Sequence, residues 1–167
     1  MNPNDRLTAF GNQLIEVHVW LRGQLEDLRD DVDAYFAGDG LLPRDLRVHC
    51  LAFCSALTRH HTGEDRVAFP EIAAEFPELR SVITQLKTDH NQIDWILGAL
   101  EKLLAGLPDE PDQSAKARVT AELEGLSAIM ETHFTYEEKK LITVLNGMDL
   151  PGWRAERPDF LLLDDEG

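Results

Sequence analysis

Apolar residues recur at three- and four-residue intervals along four long stretches of the chain, which is the spacing of one face of an α-helix. Glycines and prolines interrupt the pattern, so the predicted helices run from residue 7 to the glycines near 38–40, from 43 to near 70, from 77 to 106, and from 112 or 114 to 147. No stretch shows the alternation typical of a β-strand. Four long helices with short connections predict an all-α fold, an up-down-up-down antiparallel four-helix bundle.

The last twenty residues differ from the rest. Pro151 and Pro158 exclude a long helix there, while Trp153, Phe160 and residues 161–163 are apolar. We therefore divide the chain into a bundle over residues 1–147 and a C-terminal tail over residues 148–167. We expect the tail to pack back on the bundle; the alternative is that it binds a protein partner.

Composition narrows the classes of function. The 167 residues suit one domain, and a net charge of −15 disfavours binding to nucleic acid or to anionic lipid. No apolar run is long enough to span a bilayer, and the N-terminus lacks the pattern of a signal peptide. We expect a cytoplasmic protein in which Cys50 and Cys54 are thiols that pack in the core, with a redox role as the alternative.

Histidine is distributed in an unusual way, because each predicted helix carries one on its apolar stripe. These residues are His18, His60, His90 and His133. Counted from the predicted helix ends, they lie at similar heights in an antiparallel bundle. Four isolated core histidines would rarely share one level, so the pattern indicates a common site.

Two of these histidines have a carboxylate one helical turn later. Glu64 follows His60, and Glu137 follows His133, each at a spacing of four residues that places both side chains on one face. Burying such groups is costly unless something compensates their charge and polarity. Mixed imidazole and carboxylate ligands suit Fe, Mn or Zn, and bridging carboxylates in a helical bundle favour a dinuclear iron site.

Neighbouring residues leave alternatives open. His60 shares a face with apolar residues whereas His61 aligns with Asp65, so His60 is expected to face inward. Glu138 is the alternative to Glu137, because a slight rotation of the helix would exchange them. His49 lies about 16 Å along the helix from His60, too far for the same metal pair.

The motifs now assembled resemble the hemerythrin-like, or HHE cation-binding, family over roughly residues 7–147. They are His18, H-H-T-G-E-D at 60–65 followed by Phe69-Pro70, His90, and H-F-T-Y-E-E at 133–138. The resemblance implies a centre of two non-haem iron ions, oxo- or hydroxo-bridged when oxidised, with an open position for dioxygen. The metal ligands it implies are His18, His60, Glu64, His90, His133 and Glu137.

The sequence departs from the oxygen carriers that it resembles. Their third helix has an H-x-x-x-H pair, but here Leu86 stands four residues before His90. Asp94 or a water molecule could take the vacant position, and the last helix has H-x-x-x-E in place of H-x-x-x-x-D. We therefore expect binding of, or reaction with, O2, H2O2 or NO rather than stable oxygen carriage. The alternative is an iron or oxygen sensor that signals through a protein partner without turnover.

Overall fold

The computed structural model describes residues 9–110 and 112–163, except the side chain of Arg154. These residues form helices and no strand, which confirms the predicted all-α class. The α-helices are α1 (Phe10–Ala37), α2 (Pro43–Gly63), α3 (Phe69–Glu75), α4 (Arg80–Ala105), α5 (Gln113–Gly147) and α6 (Pro151–Ala155). A π-helical segment, Glu64–Ala68, joins α2 to α3, and 3-10 turns occupy Pro77–Leu79 and Asp159–Leu161. None of the described helices is long and apolar enough to cross a membrane.

Helix ends follow local chemistry. Gly38 stops α1 in the left-handed conformation, with φ of 79°, which a residue without a Cβ adopts readily. Pro43 occupies the first turn of α2, where its missing N–H costs nothing. Asp112 caps α5, since its carboxylate accepts a hydrogen bond from the Ser114 N–H at 3.0 Å.

The four long helices α1, α2, α4 and α5 form an antiparallel bundle in which each one packs against two neighbours. Along the interface of α1 with α5, Asn12 contacts Asn146 and Arg22 contacts Glu131. Residue numbers therefore rise along α1 as they fall along α5, which shows that the two helices are antiparallel. Residue Leu7 of the first predicted stripe lies outside the described residues.

The helix break expected near Pro70 is absent. Instead the π-helical segment continues α2 into α3, with the Phe69 N–H donating to the Glu64 carbonyl five residues earlier. Pro70 then falls in the first turn of α3, where a residue without an N–H is tolerated. Such wide turns often occur at functional sites, and this one begins at Glu64.

The core has two parts. The larger one fills the end of the bundle that holds Leu28, Leu57 and Leu100. The smaller one fills the other end and includes the buried tail residues Phe160 and Leu161. The Trp153 ring makes edge contacts with Phe10 and Phe160, at centroid distances of 5.1 and 5.4 Å. The tail thus packs on the bundle, with Met148, Trp153, Phe160 and Leu161 in the smaller core and Leu163 against the larger one. Residues 164–167 lie outside the described residues.

Cys50 and Cys54 are thiols packed in the larger core, with their sulfur atoms 3.5 Å apart. A hydrogen bond with Cys50 and burial both raise the pKa of the Cys54 thiol, so that it stays protonated. Protonated, buried thiols are poor nucleophiles and behave as small apolar side chains.

The close approach of α1 to α5 gives a test of the packing. A Cβ on Gly11 would lie 2.5 Å from the Ile142 carbonyl oxygen and 2.6 Å from the Asn146 side chain. We expect Gly11→Ala to lower the free energy of unfolding by about 1–3 kcal/mol in urea denaturation, because the helices must separate. Gly125→Ala is the control: a Cβ there meets nothing within 4 Å, so the better helix propensity should add about 1 kcal/mol. Equal effects of the two substitutions would contradict the packing described.

Candidate metal centre

The six side chains singled out in the sequence meet at one level inside the bundle. All are buried, with at most 2% of their surface exposed. Helix α1 supplies one, α2 and the π-helical segment supply two, α4 supplies one and α5 supplies two: His18, His60, Glu64, His90, His133 and Glu137.

Their ligand atoms divide into two clusters, in each of which all the atoms lie within 4.8 Å of one another. We call the clusters site A and site B. Site A consists of His61, Glu64, His90 and His133. Site B consists of His18, His60, Glu64 and Glu137. Glu64 belongs to both, so the two sites adjoin.

Each carboxylate faces one histidine of each site. Glu64 Oε1 lies 3.5 Å from His60 Nε2 and 3.3 Å from His90 Nε2. Glu137 Oε2 lies 3.7 Å from His18 Nε2 and 3.4 Å from His133 Nε2. This is the arrangement of two carboxylates that can bridge a pair of cations.

Site A contains His61, which was not among the metal ligands predicted from the sequence. His61 is as buried as His60, and its ring stacks on that of His90 at a centroid distance of 3.9 Å. The prediction that only His60 of this pair faces inward is wrong, because both side chains are buried. Successive helical residues point about 100° apart, so two neighbours can flank the bundle axis and both reach its interior.

His61 also bears on the position that appeared vacant on the third bundle helix. Leu86 is a core residue, and Asp94 is exposed and belongs to neither site. The fifth imidazole comes instead from α2. The signal in the sequence is the His60-His61 doublet, because the third bundle helix carries His90 but has Leu86 where a second histidine would stand.

The remaining alternatives fall outside the two sites. Glu138 lies next to the centre but faces the other ring nitrogen of His18, 3.5 Å from Nδ1, and it also binds Arg22. His49 lies away from the centre, where its Nδ1 is 2.6 Å from a carboxylate oxygen of Asp31.

Outer partners fix the orientation of the rings. His90 Nδ1 donates to Asp65 at 2.9 Å, and His133 Nδ1 donates to Asp89 at 3.0 Å. His60 Nδ1 donates at 2.6 Å to the backbone carbonyl of Phe160, in the tail. Carboxylate and carbonyl oxygens accept but do not donate, so each ring holds its proton on Nδ1 and turns Nε2 inward, which is the orientation of a metal-binding histidine.

Most of the inward atoms have no hydrogen-bond partner among the described residues. This holds for both nitrogens of His61, both carboxylate oxygens of Glu137 and His133 Nε2. Glu64 Oε1 and His90 Nε2, 3.3 Å apart, have only each other. Each unsatisfied buried polar atom costs on the order of 1–3 kcal/mol. Bound cations would satisfy these atoms at once, and imidazole nitrogens with carboxylate oxygens are a donor set that suits them.

Burial sets the charges of the centre. It lowers the pKa of His18, His61 and His133, and that of His60 to about 4, so these rings are neutral at pH 7. Burial alone would lower the pKa of His90 as well, but Asp65 and Glu64 raise it to about 9. Burial opposes ionisation of Glu64, yet His60 and His90 lower its pKa to about 2. Four neutral rings are ready to bind a cation, and the proton on His90 must leave when one binds.

Aromatic rings enclose the centre. Phe134 stacks on His18 at 4.0 Å and also borders His60 and His133. Phe69 stacks on His90 at 5.7 Å. These side chains keep bulk water away from the inward atoms.

Comparison with known families agrees with this geometry. The model of the hemerythrin HHE cation-binding domain matches residues 11–145, which is most of the chain. The chain belongs to the hemerythrin HHE cation-binding family. The match spans every residue of sites A and B and ends before the tail. No curated protein and no solved structure gives a significant match.

Substitution of His61 tests whether this residue is a metal ligand. In metal-free protein, we expect His61→Leu to raise the free energy of unfolding by at least about 2 kcal/mol, because it removes two unsatisfied buried nitrogens. The same substitution should lower the metal content of protein loaded with iron. His49→Leu is the control and should give neither effect, since His49 is partly exposed and paired with Asp31. Loss of stability without metal, or unchanged metal content, would contradict a ligand role for His61.

The metal-free protein should also lose stability in mild acid. Between pH 6.5 and about 4, His60 binds a proton in the unfolded chain but not in the folded one. The free energy of unfolding therefore falls as the pH falls through this window, by about 3 kcal/mol from His60 alone. His90 does not oppose the loss, because below pH 6.5 it is protonated in both states. Urea denaturation of chelator-treated protein at several pH values measures the slope, and a flat profile would contradict neutral buried imidazoles.

Proposed function

We propose that this hemerythrin-family protein holds two non-haem iron ions and uses them to bind or react with O2, H2O2 or NO, in redox protection or sensing. The observation that carries the proposal is the double membership of Glu64, whose carboxylate belongs to both clusters of ligand atoms. A carboxylate shared between adjacent sites is the hallmark of a dinuclear centre in a helical bundle.

The two clusters of ligand atoms indicate which residues would hold each ion. His61, His90 and His133 would hold one ion, and His18 and His60 the other, with Glu64 between them and Glu137 at site B within reach of His133. Nitrogen and oxygen donors without a thiolate suit iron, manganese or zinc. We favour iron because bridged carboxylate centres in such bundles are typically di-iron.

The enclosure of the centre limits the substrate. The seven side chains are nearly inaccessible, and Phe134 and Phe69 cover their rings. Only a very small molecule can reach such a site without unfolding part of the bundle. When bound, an iron pair supplies two electrons to, or an open coordination position for, such a molecule.

The protein's own groups would support that chemistry by orientation and by exclusion of water. Asp65 and Asp89 hold His90 and His133 in place, and carboxylate partners also make imidazoles stronger ligands. The phenylalanines keep the local dielectric constant low, which strengthens the electrostatic interactions of the centre.

A sensor is the second candidate, and one contact favours it. The carbonyl of Phe160 joins the tail directly to His60, so a change at the centre can reach the surface of the protein. In this version the tail would report to a protein partner. The proposal includes a cytoplasmic location, where Cys50 and Cys54 remain thiols.

The proposal is tested by anaerobic loading with ferrous iron, followed by metal analysis and spectroscopy after exposure to air. We expect about two iron ions per chain and the magnetic coupling of a bridged pair. Glu64→Ala should remove both ions, because each loses the shared carboxylate. Glu75→Ala, an exposed carboxylate in α3, is the control and should retain both.

Trace iron in the wild-type protein, or iron without magnetic coupling, would overturn the dinuclear proposal. Rapid mixing of the ferrous protein with O2, H2O2 and NO in turn then separates the two candidates. Consumption over many turnovers indicates an enzyme, and a single binding event indicates a carrier or sensor.

A further inference from the structure

One of the oriented histidines has an outer partner of a different kind. His90, His133 and His18 face carboxylates that belong to the bundle: Asp65, Asp89 and Glu138. His60 faces a neutral backbone carbonyl, that of Phe160, in a segment beyond the residues that match the family.

We infer that residues 148–163, here called the clasp, position His60 for the ion of site B, so that docking of the clasp and retention of that ion are coupled. The inference rests on the proposed metal centre and adds to it a role for a segment outside the family domain.

The clasp is anchored where this contact requires it. Phe160 is fully buried, and its ring packs against Trp153 and lies 6.5 Å from the His60 ring, centroid to centroid. Its backbone crosses α2 at Gly63, where a Cβ would lie 2.9 Å from the Phe160 nitrogen and 2.9 Å from its Cβ. A side chain at position 63 would clash with Phe160 and displace the clasp. The clasp can therefore pack against α2 here because residue 63 is glycine.

The coupling follows from the two faces of the imidazole ring. A cation held by Nε2 of His60 would keep the ring proton on Nδ1, from which the ring donates to the Phe160 carbonyl. The other tautomer, with its proton on Nε2 at 3.3 Å from Nε2 of His18, could not donate to the clasp. Metal binding therefore favours docking, and docking must favour metal binding to the same extent.

The same geometry makes the two sites unequal. A neutral carbonyl makes a weaker hydrogen bond than a carboxylate, so His60 is held less firmly than His90 or His133. In site A, His90 and His133 are held by Asp65 and Asp89, which lie outside the clasp. Loosening the clasp should therefore release the ion of site B and leave that of site A in place.

Release of iron to a strong chelator measures the coupling in the full-length protein. In Gly63→Ala we expect one of the two ions to leave roughly 10–100 times faster than in wild type, the usual effect of losing an outer partner, while the other keeps its rate. Gly23→Ala is the matched control, because a Cβ on that glycine of α1 meets nothing within 4 Å. It should release both ions at wild-type rates.

Three further variants separate positioning from general destabilisation. Phe160→Ala removes the anchoring ring and should accelerate the same ion, and Phe160→Leu should restore most of its retention. Leu28→Ala, on α1, lowers stability in the larger core and should not select one ion. Hydrogen exchange of residues 156–163 should be slower with iron than without it, and Gly63→Ala should abolish the difference.

Equal acceleration of both ions, unchanged rates in Gly63→Ala, or clasp exchange that is independent of iron would each overturn the coupling while leaving the metal centre intact. Failure of the wild-type protein to bind a pair of ions would instead overturn the proposed function, and the clasp inference with it.

Discussion

Buried carboxylates impose the strongest constraint on this structure. Glu64 and Glu137 lie at the centre of a bundle whose other interior positions are largely apolar, and the inward oxygens have few protein donors. Transfer of an ionised carboxylate from water to such an interior is prohibitive without positive charge nearby. The protonated ring of His90 supplies some of that charge in the metal-free protein. Cations bound between the helices would supply the rest.

The elements around the centre can be understood as consequences of that constraint. Four helices have to deliver ligands to one level, and the π-helical segment begins where α2 delivers Glu64. The outer carboxylates Asp65 and Asp89 turn the rings so that Nε2 points inward. Phenylalanines close the gaps between the rings. The unsatisfied polar groups at this level lower the free energy of unfolding, and the two apolar cores on either side compensate for that loss.

Much of this was accessible from the sequence, because its signals are local or periodic. The apolar stripes predicted the helices, and Pro43, Gly38 and Asp112 marked their ends. The histidine on each stripe, with a carboxylate one turn after two of them, predicted that six side chains lie at one level of the bundle. Helix capping and side-chain periodicity depend on neighbouring residues, so a single chain is sufficient to read them.

Other features depend on contacts between distant segments, and periodicity does not contain them. His61 looked peripheral because a helical wheel assigns one inward direction, whereas the interior of a four-helix bundle is wide enough for two adjacent residues. Continuation of the helix through Pro70 required a π-helical turn that no spacing rule predicts. The hydrogen bond from His60 to Phe160 joins residues a hundred positions apart in the chain. The apolar Trp153 and Phe160 predicted that the tail packs back, but not where. The role of Gly63 becomes clear once the tail is seen to cross it.

The central claim is that two ions share Glu64, and anomalous diffraction from crystals of the iron-loaded protein tests it most directly. The account predicts two iron peaks about 3.5–4 Å apart, one beside His61, His90 and His133 and the other beside His18 and His60, with the Glu64 carboxylate between them. A single iron peak, or two peaks that Glu64 does not bridge, would contradict it.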